Sequence, residues 1–65
     1  MNKKLIGEKL LHLRNKRPRA IIATAIGISE SALAMYESGN RTPRDEIKIK
    51  IAAFYNKTVQ EIFFD

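Results

Sequence analysis

The chain has no cysteine and a single histidine, His12. The first absence rules out a disulfide framework. Together they leave no set of zinc ligands, so no metal and no cofactor is expected and a hydrophobic core has to hold the fold. Long apolar runs are also missing. In "MNKKLIGEKLLHL", Glu8, Lys9 and His12 interrupt the stretch that a signal peptide or membrane span would need, so the sequence reads as cytoplasmic with no membrane partner. Catalytic groupings are equally scarce. No nucleophile stands beside a base, and no glycine-rich phosphate loop or paired carboxylates occur, so an enzyme is not expected. The last absence is local: from Ala20 to Asn40 there is no lysine or arginine, in a chain whose formal charge is +5 and whose pI is near 9.9.

What is present fits one small domain over residues 1–65. Folding at this size removes only about 60% of the surface that the unfolded chain exposes, which favours an economical, mostly helical arrangement. Hydrophobic residues make up 45% of the chain, enough for a globular core. Charge is unevenly placed. Through Arg44, nine basic residues face Glu8, Glu30 and Glu37, a balance of +6, whereas from Asp45 onward the balance is −1. Such a footprint fits a nucleic acid or an acidic surface.

The apolar spacing of Ile6, Leu10 and Leu13 predicts a first helix over about Lys3 to Lys16. Gly7 within it costs about 1 kcal/mol relative to alanine. Either a close neighbour requires it or the first turn tolerates it, and tolerance is the simpler expectation. Arg17-Pro18 should end this helix and open a second, from about Pro18 to Ile26, with Ile22, Ala23 and Ile26 inward. Gly27 closes it, and Ser29 is placed to cap a third helix from about Glu30 to Ser38. Leu33, Tyr36 and Ile28 point inward there, leaving Glu30, Ser31, Ala34 and Met35 outside. "DEIKIKIAAFY" is ambiguous, because Ile47, Ile49 and Ile51 alternate as in a strand. Its acidic first turn and the lack of a partner strand favour a fourth helix. "TVQE" is a capping box opening a short fifth helix, Thr58 to about Phe64. The fold expected is all-α, a compact arrangement of five helices without linker or repeat.

Two short helices joined at Gly27 by a turn of three or four residues describe a helix-turn-helix, at about residues 18–38. The chain also resembles the phage lambda-repressor/Cro-like (XRE-type) helix-turn-helix domains. The fragments that carry the likeness are "IGEKLLHLR", "IIATAIGIS", "ALAMYESGNRTP" and "IAAFYNKTVQEIF", spanning about Ile6 to Phe63. Departures from the pattern are a shorter connection between the first two helices, Arg19 in place of a common glutamine, and Ala34 in place of a serine. Asp45 and Lys48 stand where apolar residues are usual.

The resemblance implies a sequence-specific regulator of transcription, a repressor, that binds double-stranded DNA. It reads bases with the first residues of the third helix and one residue a turn later, here Ser29, Glu30, Ser31 and Met35. Glu30 could accept from a cytosine amino group, Ser31 could bond to several bases, and Met35 or Ala32 could touch a thymine methyl. Each could equally be ordinary helix surface. A groove-inserted helix suits short uncharged side chains, while the cations belong beside the phosphates. Arg17 and Arg19 would lie at one rim. Asn40, Arg41, Thr42 and Arg44 would lie at the other. The resemblance also implies a structural pair between Arg14 and Glu37.

Regulators of this kind usually pair up, and a homodimer would read an inverted repeat with half-sites roughly 34 Å apart. Val59, Ile62, Phe63 and Phe64, with Ile49, exceed what one short helix can bury and are the expected interface, unless Phe64 only closes the core. The competing reading is a protein-interaction module of the same fold, such as an antitoxin or antirepressor, with a protein partner. RNA binding is a distant third, because an A-form major groove is too narrow for a helix.

Overall fold

The Asn2 side chain accepts a hydrogen bond from the Leu5 amide at 3.1 Å, capping the first helix of this computed structural model, which describes residues 2–64. Five helices follow in order: α1 (Lys3–Arg14), α2 (Arg19–Ile26), α3 (Glu30–Ser38), α4 (Asp45–Phe54) and α5 (Val59–Phe63). The described residues contain no strand. The first helix stops two residues before the expected Lys16, because Asn15 and Lys16 both take left-handed backbone angles, φ 52° and 64°. Pro18 stands outside α2 as its N-cap.

The segment with strand-like alternation is helical. In a helix, Ile47 and Ile51 are one turn apart and face the same way. Ile51 is fully buried and Ile47 partly so, whereas Ile49 points out and is 61% exposed. Lys48 and Ala52 share the inward face. Lys48 is buried, with its ammonium 3.5 Å from the exposed Asp45 carboxylate and 4.8 Å from the Phe64 ring centre. Its aliphatic stem takes a place that an apolar side chain would otherwise fill.

The core joins all five helices. Leu10 of α1, Leu33 of α3, Ile51 of α4 and Ile62 and Phe63 of α5 are its largest fully buried side chains, with Ile22, Ala23 and Ile26 of α2 beside them. This corrects part of the expected interface. Ile62 and Phe63 are only 2% and 1% exposed, so they hold the helices together and cannot meet a partner. The capping box explains why: Thr58 and Glu61 satisfy each other's amides at 2.8 and 3.0 Å, which fixes the direction in which the short α5 leaves the turn. Val59 is partly buried against the core, and Phe64 and Ile49 remain exposed.

Gly7 is required by packing, contrary to the simpler expectation. A Cβ there would overlap the Glu37 carbonyl oxygen and lie 3.0 Å from that of Tyr36, so the α1 backbone rests directly on the end of α3. Gly39 completes the contact. It holds φ 80°, and a Cβ would stand 3.2 Å from the Lys4 Cα.

The Tyr55 hydroxyl is buried without a hydrogen-bond partner among the described residues. Leaving such a group unsatisfied costs roughly 1–3 kcal/mol, so Tyr55→Phe is expected to raise stability by about 1 kcal/mol in urea unfolding. Burial, and then the nearby Glu37 charge, hold the Tyr55 pKa above its ordinary value. The unfolded chain therefore loses this proton first as pH rises past about 10, and stability falls there. Tyr55→Phe should lack that part of the alkaline loss. A variant less stable than the parent at neutral pH would show that the hydroxyl has a partner.

Candidate nucleic-acid interface

The turn from α2 to α3 is built by Gly27. At φ 97° it allows its own amide and that of Ile28 to reach the Ala23 carbonyl, at 2.9 and 3.0 Å, which closes α2 tightly. Ser29 then caps α3 by accepting from the Ala32 amide at 3.0 Å. With only Gly27, Ile28 and Ser29 between them, the two helices bend by 106° relative to one another. This lies within the 90–120° or so of a helix-turn-helix.

Leu33, Tyr36 and Glu37 anchor one side of α3 in the protein. On the other side Glu30, Ser31 and Met35 are exposed, as is the capping Ser29, and Ala34 is partly exposed between them. Ala32 is turned away, packed partly buried against the core, so it leaves the outer face. The Glu30 carboxylate has no ion pair or hydrogen bond among the described residues. Ser38 is exposed, and its hydroxyl donates to the Met35 carbonyl at 3.1 Å.

Beyond α3, Asn40 and Arg41 both bring their amides to the Met35 carbonyl, at 3.0 and 3.3 Å. The Arg41 guanidinium lies 5.9 Å from the Tyr36 ring centre, a cation–π contact that holds the charge beside the end of α3. Thr42 is half-buried. Arg44 is the N-cap of α4, its side chain 81% exposed and only loosely paired with Glu46 at 3.6 Å. Two exposed cations thus follow α3 in the chain.

A second group of arginines is more tightly wired. Glu37 has a side chain only 2% exposed, and it accepts from Arg14 Nε at 2.7 Å and Arg14 Nη2 at 3.2 Å. It also accepts from Arg19 Nε at 2.9 Å. Arg14 Nη1 donates to the Arg17 carbonyl, and Arg17 returns hydrogen bonds to the carbonyls of Arg14 and Leu13 at 2.9 and 2.8 Å. The hydrogen bond to Glu37 raises the Arg14 pKa, so this charge is permanent. The guanidinium of Arg17 also lies 5.8 Å from the Tyr55 ring centre. One buried carboxylate therefore ties the end of α1 and the start of α2 to the end of α3.

The family resemblance implies Arg14 as a partner of Glu37 and gives no sign of Arg19 as the second. Arg17 and Arg19 stand at the N-terminal end of α2, where Pro18 supplies no side-chain cap. Two arginines therefore stand beside the uncapped α2 amides. Among the described residues, no group of His, Cys, Asp and Glu side chains could hold a metal ion. No single helix there is long and apolar enough to cross a membrane.

Two short helices set at 106° to one another through a three-residue turn, the second of them free of lysine and arginine, define a helix-turn-helix module. The helix-turn-helix family model of XRE type, lambda-repressor/Cro-like, matches residues 18–62. The chain belongs to this helix-turn-helix family of DNA-binding regulators. No curated protein and no solved structure matches the chain.

Proposed function

We propose that the chain, as a single domain, is a sequence-specific repressor that inserts α3 into the major groove and binds an inverted repeat as a homodimer. The observation that carries this reading is the outward face of α3, free of lysine and arginine, with Arg17 and Arg19 at the start of α2 and Arg41 and Arg44 in the chain after α3. Ser29, Glu30, Ser31 and Met35 meet base edges, while those arginines, with Asn40 and Thr42, meet phosphates. The α2 amides left open by Pro18 add a further phosphate contact. With its partner on DNA, the protein works in the cytoplasm at the nucleoid.

Arg41→Ala and Arg44→Ala test the reading best, because neither side chain has a strong internal partner to lose. Each is expected to weaken duplex binding across all sequences and to lower the slope of log K against log salt by about one unit. Fluorescence anisotropy at several salt concentrations measures both. Unchanged affinity and slope in the double variant would overturn the assignment.

Ile49 and Phe64 are the expected dimer residues left exposed, at 61% and 49%. They also favour the second reading, a module whose main partner is another protein. Ile49→Ser with Phe64→Ser is expected to leave the domain folded and shift it to monomer in sedimentation, with DNA binding weakened on paired half-sites and retained on single ones. Full DNA binding by the double variant, with loss of a protein complex, would favour the second reading.

A further inference from the structure

The outer face of α3 offers very few ways of reading a base. Glu30, Ser31, Ala34 and Met35 include no arginine, lysine, asparagine or glutamine. The bidentate pairs by which guanidinium reads guanine and carboxamide reads adenine are therefore unavailable to it. What α3 does present is one carboxylate at its first turn without a partner among the described residues, and apolar groups at Ala34 and Met35. A carboxylate accepts and cannot donate.

Base-pair chemistry narrows this further. Guanine and thymine show only acceptors in the major groove, apart from the thymine methyl, and acceptors repel a carboxylate. Adenine and cytosine each offer an amino group. The adenine amino group lies between two acceptors, its own N7 and the O4 of the paired thymine. The cytosine amino group has an acceptor on one side only, the O6 of the paired guanine. Cytosine is the better partner for Glu30.

Met35 follows five residues later, about 7.5 Å along the helix axis. That spans about two base pairs at 3.4 Å each. A thioether and the neighbouring Ala34 methyl match a thymine methyl there.

Building on the DNA-binding reading above, we infer that the protein selects a pyrimidine-rich half-site, with a cytosine opposite Glu30 and a thymine about two base pairs away opposite Ala34 and Met35. Glu30 also acts against other sequences. Where no amino group meets it, it adds a negative charge to a groove already flanked by phosphates, so it weakens binding to non-matching duplexes. Serving as a specificity residue in this way, it costs affinity in general and returns it at one base.

The test is selection of bound duplexes from a random pool at near-physiological salt, run in parallel with the parent chain, Glu30→Ala and Glu30→Gln. Both substitutions are at an exposed position, and circular dichroism checks that the variants fold. The parent pool is expected to be enriched in cytosine at one position with thymine about two base pairs away. Glu30→Ala should lose at least about tenfold discrimination at that cytosine and bind unrelated duplexes more tightly. Glu30→Gln, which gains a donor, should shift the preference toward adenine. A guanine-dominated pool, or the same cytosine enrichment in both variants, would overturn the inference and leave the DNA-binding reading standing. Failure to retain any duplex even at low salt would overturn both.

Discussion

Glu37→Ala is expected to unfold the domain or bring it close to unfolding. The side chain is 2% exposed and is the carboxylate partner of both Arg14, itself only 13% exposed, and Arg19. Removing it strands a mostly buried guanidinium and releases the start of α2 from the end of α3. Breaking a buried pair from one side costs about 3–5 kcal/mol, because the remaining charge keeps its desolvation penalty. A chain of this length has only about 3–10 kcal/mol of stability to lose, at roughly 0.05–0.15 kcal/mol per residue. Glu37→Gln keeps the shape and one acceptor, so it should cost less and leave a folded protein. Urea unfolding followed by circular dichroism measures both, as a fall in midpoint at constant slope. A loss under about 1 kcal/mol for the alanine variant would show that Arg14 and Arg19 find other partners, and that this carboxylate does not hold α3 in place.

Gly7→Ala is the second large effect, and its sign separates local from tertiary physics. On helix propensity alone the change should stabilise α1 by about 1 kcal/mol. The new Cβ, however, overlaps the Glu37 carbonyl oxygen and crowds that of Tyr36. Both are backbone atoms of α3, which cannot rotate aside as a side chain could. Forcing extra atoms into such a contact typically costs about 1–3 kcal/mol. It also pushes α1 away from the residue that pairs with Arg14. Because the overlap is with backbone, the cost falls at the upper end of that range, and the net expectation is a loss of about 2 kcal/mol, visible as a fall in Tm of roughly 8–16 °C for a domain of this size. A variant that melts higher than the parent would mean that α1 and α3 stand further apart than described.

These two variants matter for binding because they act where α1 meets the end of α3, beyond the core contacts of Leu33 and Tyr36. The outer face of α3 is free, its N-terminus hangs on the short turn from Gly27 to Ser29, and its C-terminal end is gripped by α1 through Gly7, Gly39 and Glu37. Partial loosening of that grip should therefore reduce sequence discrimination more than general affinity, since phosphate contacts tolerate displacement better than base contacts do.

The sequence by itself determined what is written within four or five consecutive residues. Gly27, Gly39 and Asn56 end helices through left-handed backbone angles, while Ser29 and Thr58 start them by capping. These signals act over one turn of chain, so the bounds of α3 were legible to the residue. The face it presents was largely legible too, since helical spacing alone sends Leu33 and Tyr36 inward and Glu30, Ser31 and Met35 outward. Only the tertiary structure decided which distant groups meet. Gly7 against Glu37, Arg19 on the carboxylate already held by Arg14, and Ile62 with Phe63 in the core rather than at an interface all depend on how helices far apart in sequence are stacked. Helix periodicity gives each residue a direction but no neighbour. The neighbour is fixed by the joint packing of all five helices, a condition that no short stretch of the chain contains.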